Sequence, residues 1–262
     1  MSMVVLASAS GSPGVSTTAL GLAVTWPRPV LLVEADPTGG SAFLAGFFRG
    51  QLTHHQGLVD LAWAHREGLL AETLPRLTVP VPDSQVQLLA GVRTHSQSRS
   101  VAPVWDELAV TLRGLAGTGQ DVIVDAGRLG LAGSPEPLIA AADLMLLCLR
   151  TDLVALSAAR SWVETLAAQF QAVAAEPRLR LLLIGGGRPY TAREVGKVLP
   201  APVTATVAWD ARSAAVWSHG TATPRKFDRA RLPRSLRAAG MVLDAAARPS
   251  AALMTAESAH DD

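Results

Sequence analysis

The chain has 262 residues, of which 49% are hydrophobic, and its formal net charge is +1. This length and apolar content allow one large domain with a sizeable core, and the near-zero charge argues against bulk electrostatic attraction to nucleic acid. No apolar stretch reaches the roughly 18 to 20 residues that span a bilayer, and the N-terminus lacks signal-peptide features, so we expect a cytoplasmic protein without a transmembrane segment.

The first predicted unit is a βαβ segment. Residues 3–7 predict a buried strand, 8–18 a loop of small residues, 19–26 a helix and 30–33 a second strand, which leads into Glu34-Ala35-Asp36-Pro37. In a right-handed βαβ unit, the N–H groups of the loop and the N-terminus of the helix point to one place. That place is an anion site, and usually a phosphate site.

The middle of the chain predicts further helices and strands in alternation. Helical segments are expected over 42–48, 58–70 and 101–115, a strand over 86–89, and a polar mobile loop over 94–100. The strand 122–125 places Asp125 at its carboxyl end, where ligands bind in open α/β sheets. His54 and His55 lack a Cys, Asp or Glu partner at metal-ligand spacing, which disfavours a metal site there.

The C-terminal half continues this order. It predicts a short helix ending near residue 142, strands over 144–149, 179–184 and 203–207, helices over 153–174 and 191–199, and an amphipathic helix ending near 247. Together these elements predict an α/β fold with a mostly parallel twisted sheet of about seven strands and helices on both faces. We expect one domain over 1–247 and a flexible polar and acidic tail over 248–262. Cys148, the single cysteine, is predicted to be a small core residue.

The loop and its flanks resemble the deviant Walker A motif, K-G-G-x-G-K-S/T-T, of the ParA/MinD family of P-loop ATPases. Glycines 11 and 14 and the Ser16-Thr17 pair match the motif, residues 34–37 resemble the family's D-x-D-P, and 120–125 resemble its Walker B strand. A Rossmann dinucleotide fold competes, but the first loop is not G-x-G-x-x-G. The resemblance implies a three-layer P-loop NTPase fold and a homodimer.

The resemblance also implies a site for ATP or ADP with Mg²⁺. Asp210 would flank the base, Ser16 and Asp125 would hold the metal ion, and Asp36 would orient the attacking water. Arg128 stands in the place of the family's switch loop, either contacting a phosphate or lying in a solvated loop. The residues implied to bind the nucleotide, apart from Asp210, are Gly11, Ser12, Pro13, Gly14, Val15, Ser16 and Thr17.

Three family residues are missing from this pattern. The phosphate-binding lysine falls on Val15, the signature lysine on Ser10, and the asparagine that commonly contacts the adenine on Gly185. A phosphate chain held only by backbone amides and a helix dipole lacks the charge that neutralises the transition state.

We therefore predict a positioning or assembly scaffold with weak or no ATP hydrolysis, acting through dimerisation and protein partners. The overall sequence resembles those of actinobacterial CpaE/TadZ-like proteins of pilus and secretion machines. A slow but active Mg-ATPase is the first alternative.

A basic segment lies near the C-terminus. It contains one acidic residue, Asp228, and the basic residues Arg225, Lys226, Arg229, Arg231, Arg234 and Arg237. This segment is suited to DNA or an anionic membrane surface, so a non-specific DNA-binding partition protein is the second alternative. A solvated surface or a face that docks a protein partner is the interpretation we prefer.

Overall fold

The structure is a computed structural model that describes residues 2–171 and 178–248. Within these residues the chain forms eight strands and ten α-helices. The strands are β1 (Met3–Ser8), β2 (Val30–Glu34), β3 (Thr78–Pro80), β4 (Val86–Leu89), β5 (Asp121–Arg128), β6 (Leu144–Arg150), β7 (Leu179–Ile184) and β8 (Val203–Val207). The helices are α1 (Val15–Thr25), α2 (Leu58–Arg66), α3 (Leu70–Thr73), α4 (Ser98–Val101), α5 (Trp105–Gly114), α6 (Glu136–Ala140), α7 (Leu153–Gln171), α8 (Ala192–Val198), α9 (Ala211–His219) and α10 (Arg231–Ala247).

The strands form one sheet in the order β3-β4-β2-β5-β1-β6-β7-β8. Every neighbouring pair is parallel except β3 with β4. The central strands are buried along nearly their whole length, as their Val- and Leu-rich sequences require of a sheet covered on both faces. The prediction of a mostly parallel α/β sheet is therefore confirmed, and the short antiparallel β3 brings the strand number to eight.

Helices cover both faces of the sheet. On one face, α5, α6 and α7 contribute Leu108, Leu138 and Val163 to a core with the side chains that the strands point that way. On the other face, α1, α9 and α10 form a second core, which includes Trp217 and Leu236. This is the three-layer arrangement expected from the alternation of strands and helices.

The register of the central strands fixes the position of the acidic residues. On β5, Asp125 pairs with Leu6 of β1 on one side and with Glu34 of β2 on the other. Because these strands are parallel, their carboxyl ends lie at one edge of the sheet. The loop after β1, the acidic end of β2 and Asp125 therefore meet there.

Several predicted boundaries were wrong. Helix α1 begins at Val15 instead of residue 19, because Gly14 adopts a left-handed conformation (φ 102°) and turns the chain directly into the helix. Segment 94–100 is not a loop: it forms a 3₁₀ turn and α4, and a bridge joins Thr94 to Gly39. The stretch 58–70 is two helices, with Gly68 at positive φ between them.

The predicted helix 153–174 is observed up to Gln171, and its last three residues lie outside the described residues, as does the predicted tail from 249 onward. No helix in residues 2–171 and 178–248 is both long enough and apolar enough to cross a membrane.

A buried ion-pair network lies at the opposite end of the central strands, at the start of β5. The fully buried Asp121 accepts hydrogen bonds from the backbone N–H of Ser2 (2.8 Å), the indole N–H of Trp26 (2.7 Å) and Nε of Arg28 (2.8 Å). Arg28 also pairs with Asp244 of α10. This network ties the last helix to the centre of the sheet.

Candidate functional site

The loop between β1 and α1 is shaped as an anion cradle. Gly11 and Gly14 have positive φ angles of 65° and 102°, which only glycine adopts without strain. Among the described residues, none accepts a hydrogen bond from the backbone N–H groups of residues 11, 12 and 14–17. These donors and the N-terminus of α1 are therefore available to a phosphate group.

Val15 occupies the first position of α1, where the family motif has its phosphate-binding lysine. Its side chain is only 7% exposed and belongs to the core beneath α1, which includes Leu20 and Ile123. Ser10, at the other lysine position, is half-buried. The cradle thus keeps its backbone geometry, while the residue at its main cationic position contributes to the hydrophobic core.

A cleft of about 500 Å³ opens beside this loop; we call it the phosphate cleft. Arg128 is the only basic side chain, and Asp36 the only acidic one, among the described residues that line it. Arg128 is exposed at the end of β5, opposite Ser8 of β1. The described lining residues are Ser8, Gly11, Ser12, Pro13, Gly14, Val15, Ser16, Thr17, Asp36, Thr38, Ala42, Gly127, Arg128 and Leu131.

Asp125 lies at the floor of this region and is fully buried. Its Oδ1 accepts a hydrogen bond from the N–H of Gly127 (3.0 Å), whereas Oδ2 has no partner in the described part of the chain. Burial raises the pKa of Asp125 to about 7, and the nearby Glu34 adds to the rise. The Ser16 hydroxyl faces the same carboxyl group and partly offsets this rise in pKa. Oδ2 itself accepts no hydrogen bond from the described residues.

Ser16 and Asp125 fit a magnesium ion. Mg²⁺ prefers oxygen ligands and is usually held by one or two protein oxygens together with phosphates and water. A buried carboxylate oxygen without a partner, facing a serine hydroxyl at the edge of a phosphate cradle, provides such oxygens. A bound Mg²⁺ would favour the ionised carboxylate and so offset the effect of burial, which raises the pKa of Asp125.

Asp36 and Glu34 have different environments although they are two residues apart. Asp36 is half-buried, accepts a hydrogen bond from the N–H of Thr38 (2.8 Å) and lies against the backbone of Gly127. Glu34 is buried, and its Oε2 accepts from the Ser41 hydroxyl (2.6 Å) and from the N–H of Gly91 (3.0 Å). Burial raises the pKa of Glu34 despite these donors. Glu34 therefore anchors the neighbouring loops, and Asp36 is the acid that reaches the cleft.

A second cavity of about 360 Å³, the side pocket, lies across the loop from the phosphate cleft and shares four of the loop residues with it. Trp209 lines the side pocket, and the Arg150 guanidinium lies 4.2 Å from the centre of the indole ring. Asp210 also lines it, but both carboxylate oxygens accept hydrogen bonds from Ser213, which makes Asp210 the N-cap of α9. The Ser213 hydroxyl is the main cause of the lowered pKa of Asp210.

The basic segment lies on the surface at the start of α10. Arg225, Lys226, Arg229, Arg231 and Arg234 are all exposed. Arg237 donates to the backbone carbonyl of Asp228 at 3.0 Å, and its guanidinium lies 3.9 Å from the Asp228 carboxylate. The basic side chains of the segment are therefore exposed, and Asp228 is the one acidic residue within 225–237.

Residues 2–171 and 178–248 contain no group of three or more His, Cys, Asp or Glu side chains placed to hold a metal ion by themselves. The Nε2 of His54 donates a hydrogen bond to the Gly91 carbonyl oxygen (3.0 Å), and burial lowers the pKa of His54. Cys148 is buried, as expected of a core residue.

No protein-family model matches the sequence, and no curated protein matches it either. Solved structures do match the fold. A ParA family ATPase from Chlorobium tepidum superposes with a TM-score of 0.73 at 18% identity, over 92% of this chain and 98% of that chain. The septum site-determining protein MinD from Pyrococcus horikoshii, complexed with Mg-ADP, gives 0.70 at 18% identity over 93% and 96%. MinD in a MinC:MinD complex from Aquifex aeolicus gives 0.69 at 12% identity over 95% and 98%.

This chain has the ParA/MinD fold. The matches cover more than nine-tenths of both chains, so the similarity in fold extends over most of the chain. At these identities the matches establish the fold, and the chemistry of the site depends on the residues described above.

Three features of the site escaped the sequence interpretation. Helix α9 was not predicted, although Asp210 followed by Ser213, with Gly220 after the helix, is a recognisable pair of end signals. The stack of Arg150 on Trp209 joins residues 59 positions apart, and nothing local indicates it. The Glu34–Ser41 hydrogen bond depends on Ser41 at a positive φ of 37°, which is rare for serine.

Proposed function

We propose that this protein is a ParA/MinD-like positioning or assembly scaffold that retains a nucleotide-shaped cleft but hydrolyses ATP weakly or not at all. The observation that carries the proposal is the burial of Val15 in the core at the position of the phosphate-binding lysine. Loss of a cationic contact made in the transition state commonly costs about 3 kcal/mol, or a factor of about 100 or more in rate. Arg128 is the one basic side chain in the described lining that is available to compensate.

The scaffold would act as a dimer and through protein partners. A MinD of the same fold is found in a complex with MinC, which supports a partner-binding role for this architecture. Because a lysine-free loop should bind triphosphate weakly, we propose a constitutive or partner-driven dimer. The resemblance of the overall sequence to CpaE/TadZ-like proteins supports a role for the scaffold in a pilus, secretion or partition system.

The test is a calorimetric titration with ATP and ADP in the presence of Mg²⁺. The natural chain should bind weakly or not at all, and Val15→Lys should gain affinity. Val154→Lys is the matched control, because Val154 is 78% exposed on α7 and lies outside both cavities, so it adds the same charge elsewhere. Tight binding by the natural chain, unchanged by Val15→Lys, would refute the proposal.

A slow Mg-ATPase is the second candidate, and one observation favours it. The Oδ2 of Asp125 is buried without a described partner and faces Ser16, and Asp36 reaches the cleft. Ser16 and Asp125 would then hold Mg²⁺, which supplies charge neutralisation of the phosphates, and Asp36 would orient a water molecule. Slow phosphate release that disappears in Asp125→Ala would support this candidate.

A non-specific DNA-binding role is the third candidate, favoured by the exposure of the basic residues of the segment. Binding to phosphates releases counterions, so affinity should fall steeply as salt rises. A triple Ala variant at Arg225, Lys226 and Arg229 should then flatten the salt dependence. Absent or salt-insensitive DNA binding by the natural chain would eliminate the candidate.

A further inference from the structure

A third cavity, of about 470 Å³, lies beside the phosphate cleft; we call it the α4 cavity. Its described lining comes from the segment after β2, the helical turns at 95–99 and the segment after β5. It shares Thr38 and Leu131 with the phosphate cleft, but no described residue of the loop between β1 and α1 lines it. The α4 cavity therefore adjoins the phosphate cleft without being part of the anion cradle.

Close contacts hold the three segments around the α4 cavity together. Gly39, after β2, forms a β-bridge with Thr94, and a Cβ on Gly39 would lie 2.7 Å from the carbonyl carbon of Thr94. On the opposite side, a Cβ on Gly133 would lie 2.9 Å from the hydroxyl oxygen of Ser98 at the start of α4. The walls of the cavity are thus fixed by direct packing, and a preformed site binds a ligand at a lower entropic cost.

Two basic side chains, and no acidic one, are found among the described residues that line the α4 cavity. They are His95 and Arg99, which are four residues apart on consecutive helical turns and project from the same face. Neither the imidazole nor the guanidinium has a hydrogen-bond or ion-pair partner within residues 2–171 and 178–248. The neighbouring Arg93, by contrast, lies 3.7 Å from the carboxylate of Asp60.

This arrangement lacks a negative charge that a bound anion would supply. Like charges four residues apart on a helical surface repel each other, whereas opposite charges at that spacing stabilise it. The Thr38 hydroxyl lines the same cavity and makes no hydrogen bond to a described residue, so it is a further free donor. The free groups of the cavity are therefore a guanidinium, an imidazole and a hydroxyl.

We propose that the α4 cavity is a second anion site, which binds a phosphate group through Arg99, His95 and Thr38. A guanidinium can donate to two phosphate oxygens at once, which makes arginine well suited to this group. An imidazole N–H and a hydroxyl can each donate to a further oxygen. The inference goes beyond the proposed function, because it requires no nucleotide in the phosphate cleft and no hydrolysis.

Two kinds of ligand carry such a phosphate group. One is a separate phosphorylated small molecule that occupies the α4 cavity alone. The other is a phosphate chain that begins in the anion cradle and extends past Arg128 into the α4 cavity, which adjoins the phosphate cleft at Thr38 and Leu131. The chemistry that recognises the group is the same for both, and the experiment distinguishes them.

The experiment follows the imidazole C–H signals of His95 by NMR while inorganic phosphate is added at constant pH and ionic strength. His95→Gln identifies the signals. The natural chain is compared with Arg99→Ala and Arg99→Lys. Arg76→Ala is the matched control, because Arg76 is also an exposed arginine but lines neither the α4 cavity nor the two cavities beside the β1–α1 loop.

We expect a saturable shift of the His95 signals in the natural chain. Arg99→Ala should weaken phosphate binding by about tenfold, because it removes a charge-assisted hydrogen bond. Arg99→Lys should weaken it less, because lysine keeps the charge but not the two-pronged geometry. Arg76→Ala should leave the affinity unchanged. His95 signals that do not shift, or that shift without saturating, would overturn the inference. So would equal losses of affinity in Arg99→Ala and Arg76→Ala, which would indicate general attraction to positive charge.

The source of the phosphate group is assigned by repeating the titration on Val15→Lys with Mg-ADP or Mg-ATP present. If ATP but not ADP shifts the His95 signals and competes with phosphate, the group belongs to a chain that begins in the cradle. If phosphate binds equally well with either nucleotide present, the ligand is a separate molecule. Either result supports the site. The absence of nucleotide binding in every variant would leave this inference standing, because the phosphate titration does not depend on it.

Discussion

Asp125→Asn is expected to change how the stability of the protein depends on pH. Asp125 is fully buried, and burial raises its pKa from 3.8 to about 7. Between these two values the folded state holds a proton that the unfolded chain has already lost. The free energy of unfolding therefore falls as pH rises from about 4 to about 7. A difference of about three pKa units corresponds to about 4 kcal/mol.

Asparagine has nearly the same shape and cannot ionise, so it removes this dependence. We expect the stability of the natural chain relative to Asp125→Asn to fall by about 4 kcal/mol from pH 4 to pH 8. Asp210 and Asp244, whose pKa values are lowered, contribute with the opposite sign and equally in both chains, so their contributions cancel in the difference. Glu34, whose pKa is also raised by burial, interacts with Asp125, so any change in its titration on removal of the Asp125 charge is part of the difference.

The measurement is urea unfolding at several pH values, in the absence of divalent metal ions. Glu67→Gln serves as the control for removing one carboxyl group, because Glu67 is exposed on the surface. A difference between the natural chain and Asp125→Asn that does not vary with pH would show that Asp125 is not held protonated. The reasoning about its burial and its unpaired oxygen would then be refuted.

Three further substitutions test the packing around the site by urea unfolding. Gly21→Ala should destabilise by about 1 to 2 kcal/mol, because its Cβ would lie 2.7 Å from Cδ1 of Leu236, between α1 and α10; equal or greater stability would contradict that close contact. Gly127→Ala should cost about 1 to 3 kcal/mol, because φ is 64° and the Cβ would lie 2.4 Å from Cγ of Asp36; an unchanged midpoint would show that this approach is absent. Asp121→Ala should cost about 3 kcal/mol or more, since it leaves the N–H of Ser2, the indole N–H of Trp26 and Nε of Arg28 without their buried acceptor, although Arg28 keeps its ion pair with Asp244; a loss below about 1 kcal/mol would rule out the buried network.

Sequence alone predicted the features that local patterns specify. The apolar runs that form β1, β2 and β6 are bounded by small or charged residues. Strands buried on both faces need no alternation of apolar and polar residues, so such runs predict them. The helix predicted from residue 191 is present as α8, and Thr191 is its N-cap, with the Glu194 carboxylate accepting from the N–H of Thr191 at 2.8 Å. The position of the anion loop followed from its glycines and from the helix that comes next.

Other features depend on contacts between distant residues, and the sequence could not supply them. Val15 looked like a loop residue, and only the structure shows that it packs in the core at the start of α1. From the sequence, the Asp210 carboxylate was expected to lie beside the base of a nucleotide. Its oxygens instead cap α9, a helix that was not predicted. The raised pKa of Asp125 arises from burial and from a carboxyl group on the neighbouring strand, which the sequence places 91 residues away.

The central claim is that the natural chain has kept the cradle of its fold and lost the charge needed to hydrolyse ATP efficiently. The most direct measurement is steady-state phosphate release from Mg-ATP by the natural chain, beside Asp36→Ala and Val15→Lys. We predict that the natural chain releases phosphate no faster than Asp36→Ala. Sustained turnover by the natural chain that is abolished by Asp36→Ala, and not increased by Val15→Lys, would contradict the claim and identify a working ATPase.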